Sequence, residues 1–251
     1  MLIFDFDGVL VDSVREVAAT GYNAVTGKTV TRLDDVPPGL YDLFRRNRPV
    51  IRSAPELYTL MRWCVDHYEM RPEARLTREA FENLLVAEAL PSDERASRFF
   101  EARDRFMDAD RDAWLALNAP FQPLWDRLRD RLRDGGGEGP VILTNKNQAA
   151  VLEICRHFGL TASPDAIYGG DENRPKTERM TRLDARYGDR PYTFIDDALG
   201  NLVEMDRHFN GEEAVIRPAL ARWGYLGPGD VDEARRFGYD VFDQDDVTAI
   251  I

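Results

Sequence analysis

Short apolar runs recur along this chain, and small or acidic residues followed by a helical pattern come after each of them. This alternation is typical of a parallel α/β sheet, because its strands are buried on both faces and are joined by helices. The runs predict strands at residues 2–4, 141–143, 166–168, 192–195 and 214–216, and helices at 123–133, 148–158, 177–187 and 199–208. We therefore predict an α/β fold whose core is a Rossmann-like parallel sheet with helices on both faces.

Residues 14–115 break this alternation, since no strand pattern occurs there and apolar residues recur at spacings of three and four. A capping box formed by Ser53 and Glu56 is expected to begin one of the helices. We therefore predict two domains, an all-α domain at residues 14–115 and a core formed by residues 1–13 and 116–251. Two stripes indicate the helices: Val14, Val17, Ala18, Tyr22 and Val25, then Leu57, Leu60, Met61, Cys64, Val65 and Tyr68.

The charge of the chain limits its partners. The sequence has 33 Lys and Arg against 45 Asp and Glu, and the resulting net charge of -12 repels nucleic acid and anionic lipid. Cys64 and Cys155 lie far apart and form no C-x-x-C pair, which suits a reducing compartment better than a disulfide framework. The opening apolar run meets Asp5 too early for a signal peptide. We expect a cytoplasmic protein that binds neither nucleic acid nor membrane, and the oligomeric state stays open.

An acidic pair follows the first predicted strand. Asp5 and Asp7 are two residues apart, and Gly8 permits a turn directly after them. Like charges held close together need a compensating cation or a shared proton, so the pair implies a metal, a catalytic acid or both. By itself the segment also fits an ordinary acidic turn.

Two further segments carry groups that can bind phosphate. Thr144 and Asn145 follow the strand at 141–143, where a hydroxyl and main-chain N–H groups could hold phosphate oxygens or could instead cap the next helix. Lys176 follows Pro175 at the start of a predicted helix, where a positive charge is unfavourable unless an anion lies nearby. Lysine is scarce in this chain, and Lys146 and Lys176 both lie beside these segments.

A second acidic pair, Asp196 and Asp197, follows the strand at 192–195. Because parallel strands bring their carboxyl ends to one edge of the sheet, this pair is expected beside Asp5 and Asp7. Four carboxylates, a hydroxyl and a lysine together form a site for a hard cation and a phosphate group.

The order and content of these segments resemble the haloacid dehalogenase superfamily. Its four motifs are similar here to Asp5-Phe6-Asp7-Gly8-Val9, to Thr144-Asn145, to Pro175-Lys176 and to Phe194-Ile195-Asp196-Asp197. The block at 14–115 takes the place of the family's all-helical cap, and residues 222–225 resemble the segment after its fifth strand.

The resemblance implies a phosphohydrolase chemistry. It implies that Asp5 attacks phosphorus to form an aspartyl-phosphate, and that Asp7 protonates the leaving oxygen and then activates water. It also implies that Mg²⁺ is bound by Asp5, the Asp7 carbonyl and Asp197, with Asp196 either a direct ligand or one step removed.

The same resemblance assigns phosphate binding to Gly8, Thr144, Asn145 and Lys176, of which Thr144 and Lys176 are also expected to be catalytic. Phosphoryl transfer depends chiefly on positioning and charge stabilisation, which such groups supply.

Two features of the resemblance bear on the reaction and the substrate. An acid at Asp7 favours phosphate esters over the dehalogenase and phosphonate-cleaving branches, and Lys28 is interpreted as an exposed turn residue and not as a Schiff-base lysine. Arg45 and Arg48 are candidates to bind a second anionic group of the substrate, although a solvated charged face explains them equally well.

The sequence thus predicts a Mg²⁺-dependent phosphatase that acts on a small-molecule phosphate monoester. The alternatives are a phosphomutase of the same superfamily and a non-catalytic module that binds a phosphorylated ligand.

Overall fold

The computed structural model describes residues 1–133, 139–171, 174–188, 191–211 and 213–251. The chain forms two compact units, one of Met1–Asp12 with Ala119–Ile251 and the other of Ser13–Asn118. We call the first the core unit and the second the helical unit. Among the described residues, none of the helices combines the length and the apolar character needed to cross a membrane.

The helical unit contains helices and no strand, and every one of its residues is described. Helices α1, α3 and α5 pack against one another. The buried carboxylate of Glu16 connects three of the helices, because it accepts hydrogen bonds from Arg103 Nε at 2.9 Å and from Trp114 Nε1 at 3.0 Å. The helices are α1 Val14–Thr26, α2 Pro38–Asn47, α3 Ala54–His67, α4 Arg78–Ala87, α5 Ser92–Ala109 and α6 Arg111–Ala116.

The predicted capping box at the start of α3 is wrong. Ser53 occupies the N-cap position, but its side chain caps no main-chain N–H group. The Glu56 carboxylate instead accepts the N–H of Arg52 at 2.6 Å, one residue earlier than a capping box requires. The start of α3 was therefore predicted at the right residue for the wrong reason.

The core unit has eight strands and six helices among its described residues. The strands are β1 Leu2–Phe4, β2 Val11–Asp12, β3 Ala119–Pro120, β4 Val141–Leu143, β5 Ile167–Tyr168, β6 Tyr192–Asp196, β7 Ile216–Ala221 and β8 Asp240–Phe242. The helices are α7 Leu124–Arg133, α8 Gln148–His157, α9 Lys176–Tyr187, α10 Leu199–Phe209, α11 Asp230–Arg236 and α12 Gln244–Ile250.

Six of these strands form one parallel sheet in the order β5-β4-β1-β6-β7-β8, while β2 and β3 pair separately as an antiparallel ribbon. Counted along the chain, the order in the large sheet is third, second, first, fourth, fifth and sixth, which is the Rossmann order. The chain leaves β1 toward β4 and later returns to β6 on its other side. A crevice for a ligand therefore opens at the carboxyl end of β1.

Apolar side chains cover the sheet as the predicted fold requires. Ile3, Leu143 and Phe194 belong to a buried cluster on one face that also contains residues of α9, α10 and α11. Phe4 and Ile195 point to the opposite face, because side chains alternate along a strand. The predicted Rossmann-like α/β core is confirmed.

The prediction was wrong around β7, which spans Ile216–Ala221 and not residues 214–216. Pro218 and three small or polar neighbours make this segment unlike a buried strand in sequence, and proline is rare inside a sheet. Nonetheless Pro218 pairs with Phe194 of β6 in the parallel register. Strand β8 and helices α11 and α12 were not predicted at all.

Candidate active site

The candidate catalytic side chains of the core unit lie at one edge of the sheet. Asp5 follows β1, Thr144 follows β4, Asp196 is the last residue of β6, and Asp197 follows it. Lys176 is the first residue of α9, which follows β5. Because β1 lies between β4 and β6, the strand order brings the carboxyl ends of these three strands together.

Asp5 is fixed at the end of β1 by hydrogen bonds on both sides. Its main-chain N–H donates to the carbonyl oxygen of Ile195 at 2.8 Å, which connects it to β6. One of its carboxylate oxygens, Oδ1, accepts the N–H of Phe6 at 2.8 Å. The chain then turns sharply, because the Phe6 carbonyl accepts the N–H groups of Leu10 at 3.0 Å and Val11 at 2.9 Å.

Gly8 is required in this turn for two reasons. Its φ is +88°, in the region that L-residues with a side chain rarely adopt. A Cβ atom on Gly8 would also lie 2.0 Å from Oδ2 of Asp197. Gly224, in another loop, packs closely against Asp197, since a Cβ on Gly224 would lie 2.3 Å from Cβ of Asp197. Two glycines therefore allow the main chain to enclose this carboxylate.

Lys176 lies between two carboxylates. Its Nζ is 3.0 Å from Asp5 Oδ2 and 2.6 Å from Asp196 Oδ2, and all three side chains are buried. Burial by itself lowers the pKa of Lys176, but Asp196 and Asp5 outweigh it and raise that pKa above its ordinary value. The ammonium therefore stays charged. These two carboxylates compensate for the unfavourable position of a positive charge at the start of a helix.

Asp196 is occupied by hydrogen bonds from the protein. Its Oδ1 accepts the N–H of Ala198 at 2.8 Å, and Asn201 Nδ2 reaches its two oxygens at 3.0 and 3.2 Å. With Lys176 this makes four contacts, and a carboxylate has about four lone-pair positions. Asp196 is therefore a group that holds Lys176 and the start of α10 in place.

Asp197 faces a different loop. Its Oδ2 accepts the main-chain N–H of Tyr225 at 2.7 Å, and the Tyr225 hydroxyl donates to Asp12 Oδ1 at 2.7 Å. Trp223 in the same loop donates from Nε1 to the carbonyl of Val9 at 2.9 Å. Residues 222–225 therefore join the ends of β1 and β6. The sequence resemblance identified this segment but assigned no role to it.

A group of carboxylates at this edge could hold a metal ion. Oxygens of Asp5, Asp196 and Asp197 lie within 4.8 Å of one another. Burial raises the pKa of Asp5 to about 6, with Lys176 opposing this rise and Asp196 and Asp7 adding to it. The excess negative charge and the all-oxygen donor set fit a hard divalent cation.

Lys146 is a site residue that the sequence did not assign. Its side chain is fully buried, and its Nζ lies 3.2 Å from Oδ1 of Asp7. Among the described residues, Oδ2 of Asp7 has no hydrogen-bond partner. The only signal in the sequence was the scarcity of lysine and the position of Lys146 beside Thr144.

Thr144 and Asn145 line the neighbouring loop and do not cap the next helix. The hydroxyl of buried Thr144 accepts the N–H of Lys146 at 3.1 Å, whereas the N-cap of α8 is Asn147. The side-chain oxygen of Asn145 accepts a hydrogen bond from Arg179 Nη2. The alternative interpretation of this segment as a simple helix cap is therefore wrong.

The remaining predicted residues lie in the helical unit. Arg45 is exposed on α2, and Arg48 donates to the carbonyl of Ile51 at 3.2 Å. Lys28 is exposed after α1, where its Nζ lies 2.9 Å from the hydroxyl of Tyr22. A role for Arg45 and Arg48 in substrate binding stays a prediction.

No family model and no curated protein matched this chain in sequence. Solved structures match it over nearly its whole length. A predicted phosphoglycolate phosphatase from Haemophilus somnus is 17% identical with a TM-score of 0.59, covering 100% of this chain and 96% of that one. A haloacid dehalogenase-like family hydrolase from Streptococcus pneumoniae is 17% identical with a TM-score of 0.54, covering 99% and 96%.

A hydrolase from Pseudomonas syringae is 16% identical with a TM-score of 0.58, covering 96% of this chain and 92% of that one. Likeness at such identities establishes the fold, and fold alone does not determine the reaction. The chain has the fold of the haloacid dehalogenase-like hydrolases.

Proposed function

We propose that this chain is a Mg²⁺-dependent phosphatase that hydrolyses a small-molecule phosphate monoester through an aspartyl-phosphate on Asp5. The observation that carries the proposal is the contact of Lys176 with both Asp5 and Asp196 at the carboxyl end of β1. It sets a carboxylate nucleophile beside a buried cation, as phosphoryl transfer requires. Phosphatases among the proteins of similar fold support the same reaction class.

Mg²⁺ suits the donors that this edge offers. The carboxylates of Asp5 and Asp197 and the main-chain carbonyl of Asp7 would hold it, because Mg²⁺ prefers oxygen ligands. Asp196 would act through Lys176 and α10, since its lone pairs already accept four hydrogen bonds. When bound, the metal supplies charge neutralisation and orientation for the phosphoryl oxygens.

The first half of the reaction forms the covalent intermediate. A carboxylate oxygen of Asp5 attacks phosphorus, the bond between phosphorus and the ester oxygen breaks, and Asp7 gives its proton to that leaving oxygen. Lys176 and Thr144 neutralise and orient the phosphoryl group during the transfer. Lys146 holds Oδ1 of Asp7, so that Oδ2 is the oxygen available to carry the proton.

The second half returns the enzyme to its starting state. Asp7, now a carboxylate, takes a proton from water while the water oxygen attacks phosphorus. The bond between Asp5 and phosphorus breaks, and inorganic phosphate leaves. Both halves are in-line displacements at the same phosphorus, which allows one set of positioned charges to serve both.

The test is a panel of phosphate monoesters with Mg²⁺ and the purified full-length chain, with phosphate release as the readout. We expect release from at least one monoester, loss of release in Asp5→Asn, and normal release in Asp232→Asn, whose carboxylate is exposed on α11. No release by a folded protein across the panel contradicts the proposal.

Two other outcomes separate this function from the alternatives. Formation of an isomer of a sugar phosphate without net phosphate release would identify a phosphomutase. Tight phosphate binding without an acid-quench burst of phosphoenzyme would identify a binding module.

We also propose a cytoplasmic location. Cys64 and Cys155 are both buried free thiols, which suits a reducing compartment.

A further inference from the structure

A cavity of about 480 Å³ lies at the β5 edge of the sheet in the core unit. Strand β5 supplies Ile167 and Tyr168 to its lining, and Gly169 and Asp171 follow them. Helix α9 and the segment before it contribute four arginines to the lining: Arg174, Arg179, Arg182 and Arg186. We call this cavity the arginine cavity.

Helix α9 places three of these arginines on one face. Arg179, Arg182 and Arg186 are separated by three and four residues, so their side chains leave the helix in the same direction. Two of the four arginines are paired with acids: Arg186 lies 3.9 Å from Asp165 and Arg174 lies 3.2 Å from Glu178. The charges of Arg179 and Arg182 then remain against the single negative charge of Asp171. A net positive cavity in a chain with a net charge of -12 favours an anionic ligand.

Arg179 is the group that points most directly to a ligand. Only 4% of its surface is exposed, and its Nη2 donates to the Asn145 side chain. Among the residues that the structure describes, Nε and Nη1 of Arg179 have no hydrogen-bond partner. A buried guanidinium with two unused donors is costly unless an acceptor binds to it.

The neighbouring acids do not supply that acceptor. Asp171 accepts the N–H of Gln148 with both oxygens, at 3.0 and 3.2 Å, and so caps α8. Burial lowers the pKa of Arg179, which Asp5 and Asp171 oppose only in part. Arg182 is exposed, and no ion pair engages it within the described part of the chain.

We infer that the arginine cavity is a second anion-binding site, in which Nε and Nη1 of Arg179 together with Arg182 bind a phosphate-class oxyanion. The ligand is inorganic phosphate or the phosphoryl group of an organic phosphate, which share this chemistry. The lining of the arginine cavity contains none of Asp5, Thr144 and Lys176, which define the proposed phosphate position. Asn145, which accepts a hydrogen bond from Arg179, connects the two sites. Anion binding in the arginine cavity does not depend on the proposed phosphatase activity.

The test measures sulfate binding to the metal-free protein in EDTA by calorimetry, with sodium chloride at equal ionic strength as the reference. Without metal, Asp5, Asp196 and Asp197 disfavour an anion at the candidate active site, and the Arg179 and Arg182 variants then show whether the bound sulfate lies in the arginine cavity. We expect saturable binding of one sulfate per chain and a dissociation constant that rises about tenfold or more in Arg182→Gln and in Arg179→Gln.

Arg156→Gln is the matched control, because it removes the same charge from an exposed position on α8, where Arg156 pairs with Glu153. Its dissociation constant should equal that of the wild type. Absence of saturable binding by the wild type, or an equal loss in Arg156→Gln, overturns the inference. Circular dichroism checks that each variant is folded, and exposed Arg182 keeps the test valid if Arg179→Gln does not fold.

Inorganic phosphate and glycerol phosphate, titrated under the same conditions, separate the two sources of the ligand. Tighter binding of glycerol phosphate supports an organic phosphate, and tighter binding of inorganic phosphate supports the free anion. Failure of both to bind overturns the site.

Discussion

Gly8→Ala tests how the turn after β1 and the carboxylate of Asp197 depend on each other. The new Cβ would lie 2.0 Å from Oδ2 of Asp197, 2.5 Å from its Cγ and 2.9 Å from Cδ2 of Tyr225. Asp197 cannot retreat freely, since the loop at Gly224 closes it from another direction. The substitution must therefore move the turn, the carboxylate or both.

The expected loss of unfolding free energy in Gly8→Ala has two parts, which a control variant separates. Holding an L-residue in a left-handed conformation costs about 1–2 kcal/mol, and forcing an extra methyl group into a packed site costs about 1–3 kcal/mol more. Gly229 has a φ of +90°, close to the +88° of Gly8, but a Cβ there meets no atom within 4 Å. Gly229→Ala should therefore lose only the free energy that the left-handed conformation costs.

The assay is urea denaturation of both variants, followed by the dependence of phosphate release on Mg²⁺. We expect Gly8→Ala to lose more free energy of unfolding than Gly229→Ala, and its half-saturating Mg²⁺ concentration to rise about tenfold or more. Equal losses of stability in the two variants, with unchanged Mg²⁺ dependence, would refute this account of the turn.

Three further predictions concern the charges of the site. Lys176→Met should lower kcat by about 10²- to 10³-fold in steady-state phosphate release, because it removes the cation beside Asp5; activity near the wild-type level contradicts this role. Lys146→Met should lower kcat about tenfold or more with KM little changed, since Lys146 touches the proposed acid Asp7; a change in KM alone would argue for substrate binding instead. Because burial raises the pKa of Asp5 to about 6, Asp5 stabilises the metal-free protein at low pH and this contribution is lost as the pH rises through about 6. Mg²⁺ should accordingly raise Tm more at pH 7.5 than at pH 5, where it must displace a proton, and an equal rise at both pH values would contradict the shift.

Much of the candidate site could be predicted because strand ends are local features. The apolar runs before Asp5, Thr144 and Asp196 are buried strands, and a parallel sheet brings such ends to one edge. The bounds of β7 were predicted wrongly because Pro218 and its small neighbours resemble no strand, although neighbouring strands on both sides stabilise this segment as one.

Other features arise only when distant segments meet. The contact of Lys146 with Asp7 joins residues 139 positions apart, and that of Tyr225 with Asp12 joins residues 213 apart. Hydrogen bonds of this kind leave no periodic pattern in a sequence, because each partner resembles an ordinary surface residue.

The sequence by itself determined that carboxylates, a hydroxyl and a lysine follow the ends of buried strands, and its resemblance to the superfamily predicted which of them act as nucleophile, acid and metal ligand. The tertiary structure decided how they are used. Hydrogen bonds commit Asp196 to Lys176 and Asn201, and Gly8 and Gly224 enclose Asp197. Within the described part of the chain, Arg179 is buried with two donors that have no acceptor. The physical reason is that lone pairs, free volume and burial are set by neighbours in space, which the order of residues does not reveal.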